Sequence, residues 1–280
     1  MSITFPLPNN KIEMAATTYN VLFPEIENAT IIGTGNVANW FVYALKKAKI
    51  QINQIYGRHL NKCKILAEKC GAEAIDDLSK LKKNSNLYIF SVNDDGYKDV
   101  VAQIPFELPM AVLTAGSVSQ CVLAPITPRY GTIYPCQTIS STMDFSQVEV
   151  PLCIEGCDEQ FENQLLHFAN NLSDTVVRMN EQQRQQLHLA AVFACNFGNA
   201  LNGVSFDILK NANINPQLLL PLLQNTLNKL KTMTPKDAQT GPAARGDKNV
   251  IAKHLGMIED EKLREIYRLM SEIIQENQNK

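Results

Sequence analysis

Residues 29–38 read ATIIGTGNVA and decide the fold of the N-terminal part of the chain. The β-branched run at 29–32 predicts a buried strand, and the apolar spacing at 37–49 predicts a helix. Between them, Gly33, Gly35 and Ala38 match the G-x-G-x-x-A fingerprint of dinucleotide-binding turns. Because the strand and helix flank the turn as that fingerprint requires, the stretch favours a nucleotide site over a purely structural turn.

The small residues of this turn have separate roles in the fingerprint. The first glycine allows the tight turn, the second lets the backbone approach a pyrophosphate, and the alanine lets the helix pack closely on the strand. The phosphates would lie at the helix N-terminus, where free N–H groups and the helix dipole favour anions. The predicted cofactor-binding residues of the turn are Gly33, Thr34, Gly35, Asn36 and Val37.

Strand and helix patterns alternate on both sides of this stretch. Further strands are predicted at 50–56, 87–92, 110–113, 131–134, 150–154 and 175–179, with helices at 61–70 and 159–170. Strands separated by helical patterns indicate βαβ crossovers and a parallel sheet. We therefore predict an N-terminal extension at residues 1–28, followed by a doubly wound Rossmann domain at 29–179.

Beyond Met179 the sequence predicts helices and no strand. Asn180 and Gln183 form a capping-box pair at the start of a helix that continues to about Leu209. Further helices are predicted after Asn215, with a break at Pro221, then after Asp247 and over 260–275. The predicted fold class is therefore α/β, with an all-α domain at residues 180–280 following the Rossmann sheet.

The end of the second predicted strand indicates which nucleotide binds. An NAD site usually places Asp or Glu there to accept hydrogen bonds from the ribose hydroxyls. Residues 55–59 read IYGRH and contain no acid, whereas Arg58 is placed to pair with a 2′-phosphate. We therefore predict NADP, with NADPH preferred over NADH; the alternative is that Arg58 simply faces solvent. Val92 and Asn93 are predicted to pack beside the cofactor ribose.

One face of the long predicted helix combines small and polar residues. At helical spacing, His188 shares its face with Ala191, Val192, Cys195, Asn196 and Asn199. We predict His188 as a general acid and Asn196 as a donor that orients a carbonyl group. The alternative is that both side chains are satisfied inside a helix–helix or dimer interface.

A second polar cluster lies in residues 240–247, which read TGPAARGD. Two glycines and a proline predict an irregular turn, and Asp247 opens a helix. Such a turn would bring Thr240, Arg245 and backbone N–H groups to a carboxylate or phosphate of an anionic substrate. The alternative is that Arg245 and Asp247 pair with each other. The predicted catalytic residues are His188, Asn196, Thr240, Arg245 and Asp247.

Composition excludes several classes of protein. The 280 residues are 45% hydrophobic and carry a formal net charge of −2, which argues against disorder and against nucleic acid as a partner. No apolar run approaches the ~18 residues that span a bilayer, and the N-terminus lacks a signal-peptide pattern. Seven scattered cysteines form no zinc motif and are typical of reduced thiols in the cytoplasm. We therefore expect a cytoplasmic protein without a metal site or a membrane partner.

With these motifs in view, the chain resembles a family of uncharacterised bacterial proteins that join an NADP-binding Rossmann domain to a helical domain of unknown function. These proteins are related to deazaflavin-dependent NADP reductases and to pyrroline-5-carboxylate reductase. The resemblance covers residue 29 to the end and rests on residues 33–38, 134–138, 188–197 and 240–247, with His254. It implies a helical domain of the 6-phosphogluconate-dehydrogenase type that builds a homodimer, and a site between the two domains.

Two departures from related patterns limit what the resemblance implies. The related β-hydroxyacid dehydrogenases use a Lys-x-x-x-Asn pair on this helix; here Asn196 is present, but Val192 stands at the Lys position. Residues 113–116 read LTAG where the family often carries His-Thr-Ser-Gly. The main prediction is an NADP-dependent oxidoreductase of a small carbonyl or imine substrate. The alternative is a non-catalytic NADP-binding or redox-sensing dimer.

Overall fold

The computed structural model describes residues 25–279, so most of the predicted N-terminal extension, residues 1–24, lies outside the described residues. The described residues belong to two compact units, 25–199 and 200–279. The domain boundaries at 28/29 and 179/180 stay predictions.

The described part of the first unit contains one eight-stranded sheet. The strands are β1 (Asn28–Ile32), β2 (Gln51–Tyr56), β3 (Glu73–Ile75), β4 (Leu87–Phe90), β5 (Ala111–Leu113), β6 (Tyr130–Pro135), β7 (Leu152–Gly156) and β8 (Val176–Arg178). Their order is β3-β2-β1-β4-β5-β6-β7-β8, and all neighbours are parallel except the antiparallel pair β6–β7. The strand order reverses between β1 and β4, where doubly wound folds bind their ligands. The predicted α/β Rossmann sheet is confirmed.

The helices of this unit follow the predicted pattern closely. They are α1 (Asn36–Lys47), α2 (Leu60–Glu68), α3 (Tyr97–Val101), α4 (Glu159–Ala169) and α5 (Glu181–Ala191). The Asn180–Gln183 capping box at the start of α5 is present as predicted. After α5 the chain forms a π-helical turn, Val192–Phe197, before it continues as an α-helix. The sequence indicated neither this turn nor the three-residue strand β3.

Two apolar cores cover the two faces of the sheet. Ala29 and Ile31 of β1 pack with α1, α2 and α4 on one face, whereas Ile32 packs with α3 on the other. Strand β4 alternates in the same way and is buried along its whole length. Because helices cover both faces, these central strands are apolar on both sides, as parallel sheets require. This burial fixes the carboxyl ends of β1, β4, β5 and β6 along one edge.

The described part of the second unit is helical throughout. Its helices are α6 (Gly198–Asn211, which begins at the unit boundary), α7 (Leu220–Lys229), α8 (Pro235–Ala238), α9 (Lys248–Met257) and α10 (Glu261–Asn279). Asn215 caps the 3₁₀ turn that precedes α7, and Pro221 stands in the first turn of α7. The predicted break at Pro221 is therefore a restart rather than a kink. Proline fits there because the first helical N–H groups have no partner within the helix.

One helical segment of the described chain, Glu181–Asn211, is long and apolar enough by length and composition to cross a membrane. The segment consists of α5, the π-helical turn and α6. The finding rests on length and composition alone.

Candidate active site

The glycine turn lies at the carboxyl end of β1, where the strand order reverses. Gly33 has a φ of +138°, and a Cβ at this position would lie 1.9 Å from the carbonyl oxygen of Ser91. Its N–H donates to the carbonyl oxygen of Tyr56 at 2.8 Å. Because both the backbone angle and the close approach exclude a side chain, the fold itself requires glycine here.

Gly35 differs from Gly33 in this respect. It precedes α1 with a φ of −80°, and a Cβ there would meet no atom within 4 Å. The first turn of α1 carries no acidic residue, so the helix dipole is not offset by a neighbouring carboxylate. A glycine that the fold does not need, at an exposed helix N-terminus, fits the close approach of a phosphate group. The turn therefore suits a dinucleotide.

Arg58 lies beside this turn. A Cβ on Gly57 would lie 2.6 Å from Cγ2 of Thr34, so the loop after β2 packs directly against the turn. Arg58 is exposed and forms no ion pair within residues 25–279. Its guanidinium is thus available to an anion at the position where dinucleotide folds hold the ribose.

Two acidic residues that the sequence analysis did not consider follow β3 at the same edge. Asp77 accepts a hydrogen bond from the Ser79 N–H at 2.8 Å, and Asp76 lies 3.6 Å from the ammonium of Lys80. The hydrogen bond from Ser79 lowers the pKa of the Asp77 carboxyl. Both carboxylates have local partners, and they follow β3 rather than the second strand, whose end carries the ribose-binding acid in NAD sites.

Val92 and Asn93 follow β4 at the next position along the edge. Val92 is half-buried against the core, and Asn93 is exposed at the start of a 3₁₀ turn. The next residue, Asp94, accepts a hydrogen bond from the hydroxyl of Ser117. This bond joins the loop after β4 to the loop after β5.

His188 lies against the carboxyl end of β6. Its Nδ1 is 3.3 Å from the hydroxyl of Tyr134, and the two rings meet edge to face with centroids 6.1 Å apart. A Cβ on Gly116 would lie 2.8 Å from the same Nδ1, so the loop after β5 makes room for the imidazole. Three elements separated in sequence therefore converge on one ring.

Burial raises the pKa of the Tyr134 phenol to about 12, and the nearby Cys136 thiol adds to the rise. The phenol is therefore protonated at neutral pH and can donate to His188 or accept from it, depending on the tautomer. A neutral ring that accepts the hydrogen bond of the phenol at Nδ1 carries its own hydrogen on Nε2. An imidazolium instead donates from Nδ1 to the phenol oxygen and has a second proton, on Nε2, that it can transfer. The arrangement can deliver a proton to a substrate. Tyr134 was not among the predicted site residues, although it ends a predicted strand at the ligand-binding edge.

Asn196 lies in the π-helical turn and is exposed. In a π-helix the hydrogen bond spans five residues rather than four, which re-aims the side chains that follow Val192. The 3.6-residue spacing that placed Asn196 on the face of His188 does not hold through this turn. No hydrogen bond joins the two side chains within the described residues. The orienting role of Asn196 stays a prediction.

The remaining predicted residues belong to the second unit. Gly241 and Gly246 have φ values of +107° and +67°, which confirms an irregular turn. The carboxylate of Asp247 accepts from the Val250 N–H at 3.2 Å and so caps α9. Arg245 is exposed, and among the described ion pairs none joins it to Asp247. Thr240 is exposed as well. That these residues act together with His188 stays a prediction.

His254, which follows this turn, has a defined partner. Its Nδ1 lies 2.8 Å from the hydroxyl of Tyr267 on α10, and the rings meet edge to face with centroids 5.8 Å apart. The contact joins α9 to α10 within the second unit. It gives His254 a structural role that the sequence alone did not indicate.

Similarity to known proteins supports this interpretation of the fold. Residues 150–274 match a family model described as a domain of unknown function (DUF2520). No protein of curated function matches the chain. Among solved structures, a “putative NADP oxidoreductase” from Bacteroides fragilis is 36% identical, with 89% of this chain and 98% of that chain covered and a TM-score of 0.84.

More distant structures share the fold alone. A 1-pyrroline-5-carboxylate reductase from Streptococcus pyogenes is 15% identical over 90% of this chain and 98% of that chain, with a TM-score of 0.61. An imine reductase from Myxococcus stipitatus, solved in complex with NADP+, is 17% identical over 89% and 93%, with a TM-score of 0.59. Together with the family model and the Bacteroides fragilis structure, they confirm the family resemblance that the sequence motifs indicated.

Proposed function

The chain belongs to the same family as the Bacteroides fragilis oxidoreductase, and from that premise we propose that it transfers a hydride between NADP(H) and a small carbonyl or imine substrate. The observation that carries the proposal is the Tyr134–His188 pair at the carboxyl edge of the sheet whose first strand ends in the glycine turn. Doubly wound folds bind ligands at that edge. A proton donor there suits reduction of a polar double bond, which needs one hydride and one proton.

The N-terminal unit offers the groups that a dinucleotide needs. The N–H groups at the start of α1 would hold the pyrophosphate, with Gly35 allowing its approach. The exposed guanidinium of Arg58 would pair with a 2′-phosphate, which favours NADPH over NADH. Val92 and Asn93 would line the ribose. The chemistry supplied at this site is hydride transfer to or from the nicotinamide.

The chain's own contribution to the reaction is the proton. His188 in its protonated form would donate from Nε2 to the carbonyl oxygen or imine nitrogen and become a neutral imidazole, whose remaining Nδ1–H is held by the hydroxyl oxygen of Tyr134. Because the backbone at Gly116 also packs closely against the ring, the imidazole has little freedom to turn away. Fixing the donor before the substrate arrives removes part of the entropic cost of the transition state.

Substrate binding extends the proposal to the second unit. The turn at 240–247 presents Thr240 and Arg245 to solvent, while Asp247 caps α9 and so fixes the end of the turn. We assign Thr240 and Arg245 to an anionic group on the substrate, because an exposed guanidinium beside backbone N–H groups suits a carboxylate or phosphate. Asn196 would orient the reacting group.

The exposed apolar side chains favour a homodimer. Apart from Ile65, every large exposed apolar residue of the described chain lies at or after Leu189, on α5 to α10 and their connections. Examples on successive turns are Phe193, Phe197 and Leu201. Water-exposed apolar surface of this extent indicates an interface, and a second copy of the chain is the simplest symmetric partner.

A second candidate function is a non-catalytic NADP-binding or redox-sensing dimer. It is favoured by Val192, which replaces a lysine of the related dehydrogenases at the start of the π-helical turn. It would keep the glycine turn and Arg58 but would need no proton donor.

One pair of measurements separates the two functions. Nicotinamide fluorescence is followed while the full chain is titrated with NADPH and with NADH. NADPH consumption is then followed with a panel of cyclic imines, ketones and aldehydes, each with and without a carboxylate. Binding with turnover of a panel member supports the oxidoreductase. Binding without turnover of any panel member supports the second function, and no binding removes both.

A further inference from the structure

A buried ion pair lies close to the Tyr134–His188 pair. Arg184 on α5 is fully buried, and its guanidinium binds the carboxylate of Glu155 on β7. The same guanidinium donates to the carbonyl oxygen of Val118 at 3.0 Å. Glu155 also accepts a hydrogen bond from the backbone N–H of Glu181 at 2.9 Å. The first turn of α5 is thus joined both to the sheet and to the loop after β5.

A second bond strengthens this connection. The hydroxyl of Ser119 donates to the carboxylate of Glu181 at 2.6 Å. Ser119 and Val118 closely follow Gly116 in the chain, and Arg184 precedes His188 by one helical turn. The ion pair and its hydrogen bonds therefore connect α5, which carries His188, to the loop after β5, against which the His188 ring packs.

Stability alone does not explain why this pair is charged. Removing two charges from water is costly, and well-packed apolar residues of similar volume often hold a helix to a sheet equally well. The Nε of Arg184 is buried and has no hydrogen-bond partner within the described residues, so part of its hydrogen-bonding capacity is lost. What an apolar contact cannot supply is the directional connection among β7, the loop after β5 and α5.

We propose that Glu155 and Arg184 are positioning residues that hold His188 against Tyr134. This inference rests on the proposed function of His188 as the proton donor. The hydroxyl and Nδ1 are 3.3 Å apart, at the long end of hydrogen-bond distances, so a shift of α5 by a fraction of an ångström separates them. Misplacement of a reacting group by about 1 Å costs up to about 100-fold in rate.

The first test needs no substrate. The chain has four histidines, so ring-labelled histidine gives few NMR cross-peaks, and the His188→Ala variant identifies that of His188. We expect Glu155→Gln, which preserves size and an acceptor oxygen, to shift this peak and to weaken the NOE between the His188 and Tyr134 rings. Arg184→Lys, which keeps the charge but loses the fork of donors, should act in the same direction.

A matched control is Arg178→Lys. Arg178 on β8 pairs with Glu162 and Asn163 on α4 rather than with the elements around His188. In the Arg178→Lys variant, the His188 cross-peak and its NOE to Tyr134 should equal those of the wild type. Thermal melting of every variant shows whether it is folded; Glu155→Gln, the milder change, decides the result if Arg184→Lys does not fold. An unchanged His188 peak together with an NOE of wild-type intensity in Glu155→Gln overturns the proposal.

The second test uses turnover, once a substrate is in hand. Glu155→Gln should lower kcat about 10-fold while KM changes by less than about twofold. In the His188→Ala background the same substitution should have no further effect, because its action passes through His188. Equal losses in both backgrounds contradict positioning. If His188→Ala itself leaves kcat unchanged, the proposed function of His188 fails, and the NMR result still decides whether the pair positions the ring.

Discussion

The Tyr134 hydroxyl lies 3.3 Å from Nδ1 of His188, although 54 residues separate them in the chain. Strand β6 provides the tyrosine, and α5, which follows the last strand, provides the histidine. The pair forms because the carboxyl edge of the sheet and the first turns of α5 come together over Gly116, which lacks the side chain that would keep the imidazole out. Both side chains are half-buried, so the pair is sheltered and still reachable.

Loss of His188 should slow the reaction more than loss of the Tyr134 hydroxyl. We expect His188→Ala to lower kcat about 100-fold, because it removes the proton donor. Tyr134→Phe should lower kcat only about 10-fold, because the imidazole remains but loses the hydrogen bond that fixes its tautomer. Steady-state kinetics with NADPH and a panel substrate measure both values. His167→Ala, at an exposed position on α4, is the control and should retain wild-type kcat. Wild-type turnover in His188→Ala would remove it from the chemistry.

The sequence was sufficient for the fold because the deciding signals are local. The strand, glycine turn and helix at 29–47 are contiguous, and the positive φ of Gly33 is the one that the fingerprint requires. Strand β3 was not predicted, because its three residues, Glu73–Ile75, form neither an apolar nor a β-branched run. The acids that follow it, Asp76 and Asp77, were therefore not considered as ribose ligands.

The candidate site was only partly accessible to sequence reasoning. His188 stood out as a histidine on a face of small residues, but its partners are set by packing between distant segments. The Glu155–Arg184 pair depends on the antiparallel register of β6 and β7 and on the placement of α5. The π-helical turn at Val192–Phe197 has no signature in residue spacing, so the position of Asn196 relative to His188 could not be counted from the α-helical period.

The two glycines of the turn should respond oppositely to substitution. Gly33→Ala places a Cβ 1.9 Å from the carbonyl oxygen of Ser91 at a φ of +138°, so we expect a loss of about 2–4 kcal/mol in unfolding free energy. Gly35→Val meets no protein atom near its Cβ and should change stability by less than about 1 kcal/mol. It should nevertheless weaken NADPH binding at least about 10-fold, because the side chain occupies the approach of the pyrophosphate.

Urea unfolding and NADPH fluorescence titration of the same preparations measure both effects. The two variants control for each other, since Gly33→Ala should lower stability and Gly35→Val should weaken NADPH binding. A Gly35→Val variant that binds NADPH as the wild type does would show that the turn is structural, which is the alternative that the sequence left open.

Arg58 should give the protein its higher affinity for NADPH than for NADH. Because it forms no ion pair within the described chain, its removal costs the fold little. We expect Arg58→Ala to raise the Kd for NADPH about 10- to 100-fold and to change the Kd for NADH by less than about twofold. Lys64→Ala, an exposed cation on α2, tests whether general electrostatics suffice and should leave both affinities unchanged. Equal weakening of both nucleotides in Arg58→Ala would contradict a 2′-phosphate contact.

Tyr97 should make the fold sensitive to alkali. Its hydroxyl is buried and donates to the carbonyl oxygen of Phe90 at 3.0 Å, and burial raises its pKa to about 12. In the unfolded chain the phenol ionises near pH ~10, whereas in the folded chain it stays neutral. The stabilisation is therefore complete below pH ~10 and is lost as the pH rises towards ~12.

The Tyr97→Phe variant isolates the contribution of the Tyr97 phenol to the pH dependence of stability. At pH 7 the variant should be about 1 kcal/mol less stable than the wild type, because it lacks the hydrogen bond to Phe90. Between pH ~10 and ~12 the wild type should lose up to about 2 kcal/mol relative to the variant, so that the difference reverses sign. Urea unfolding at pH 7, 9, 10 and 11 measures the trend. Parallel curves for the two proteins would show that Tyr97 does not ionise on unfolding.

The apolar surface of the helices should hold two copies of the chain together. Phe193 is 64% exposed in the π-helical turn, and Ile65 is 59% exposed on α2, so the two differ little in exposure but lie in different regions. We expect the wild type to sediment as a dimer and Phe193→Glu to sediment as a monomer, since an interface core rejects an unpaired charge. Ile65→Glu, with the same substitution outside the helical surface, should remain a dimer. Sedimentation velocity over a range of concentrations measures all three. A monomeric wild type, or a dimeric Phe193→Glu, would place the interface elsewhere or remove it, and the exposed helices would then need another partner.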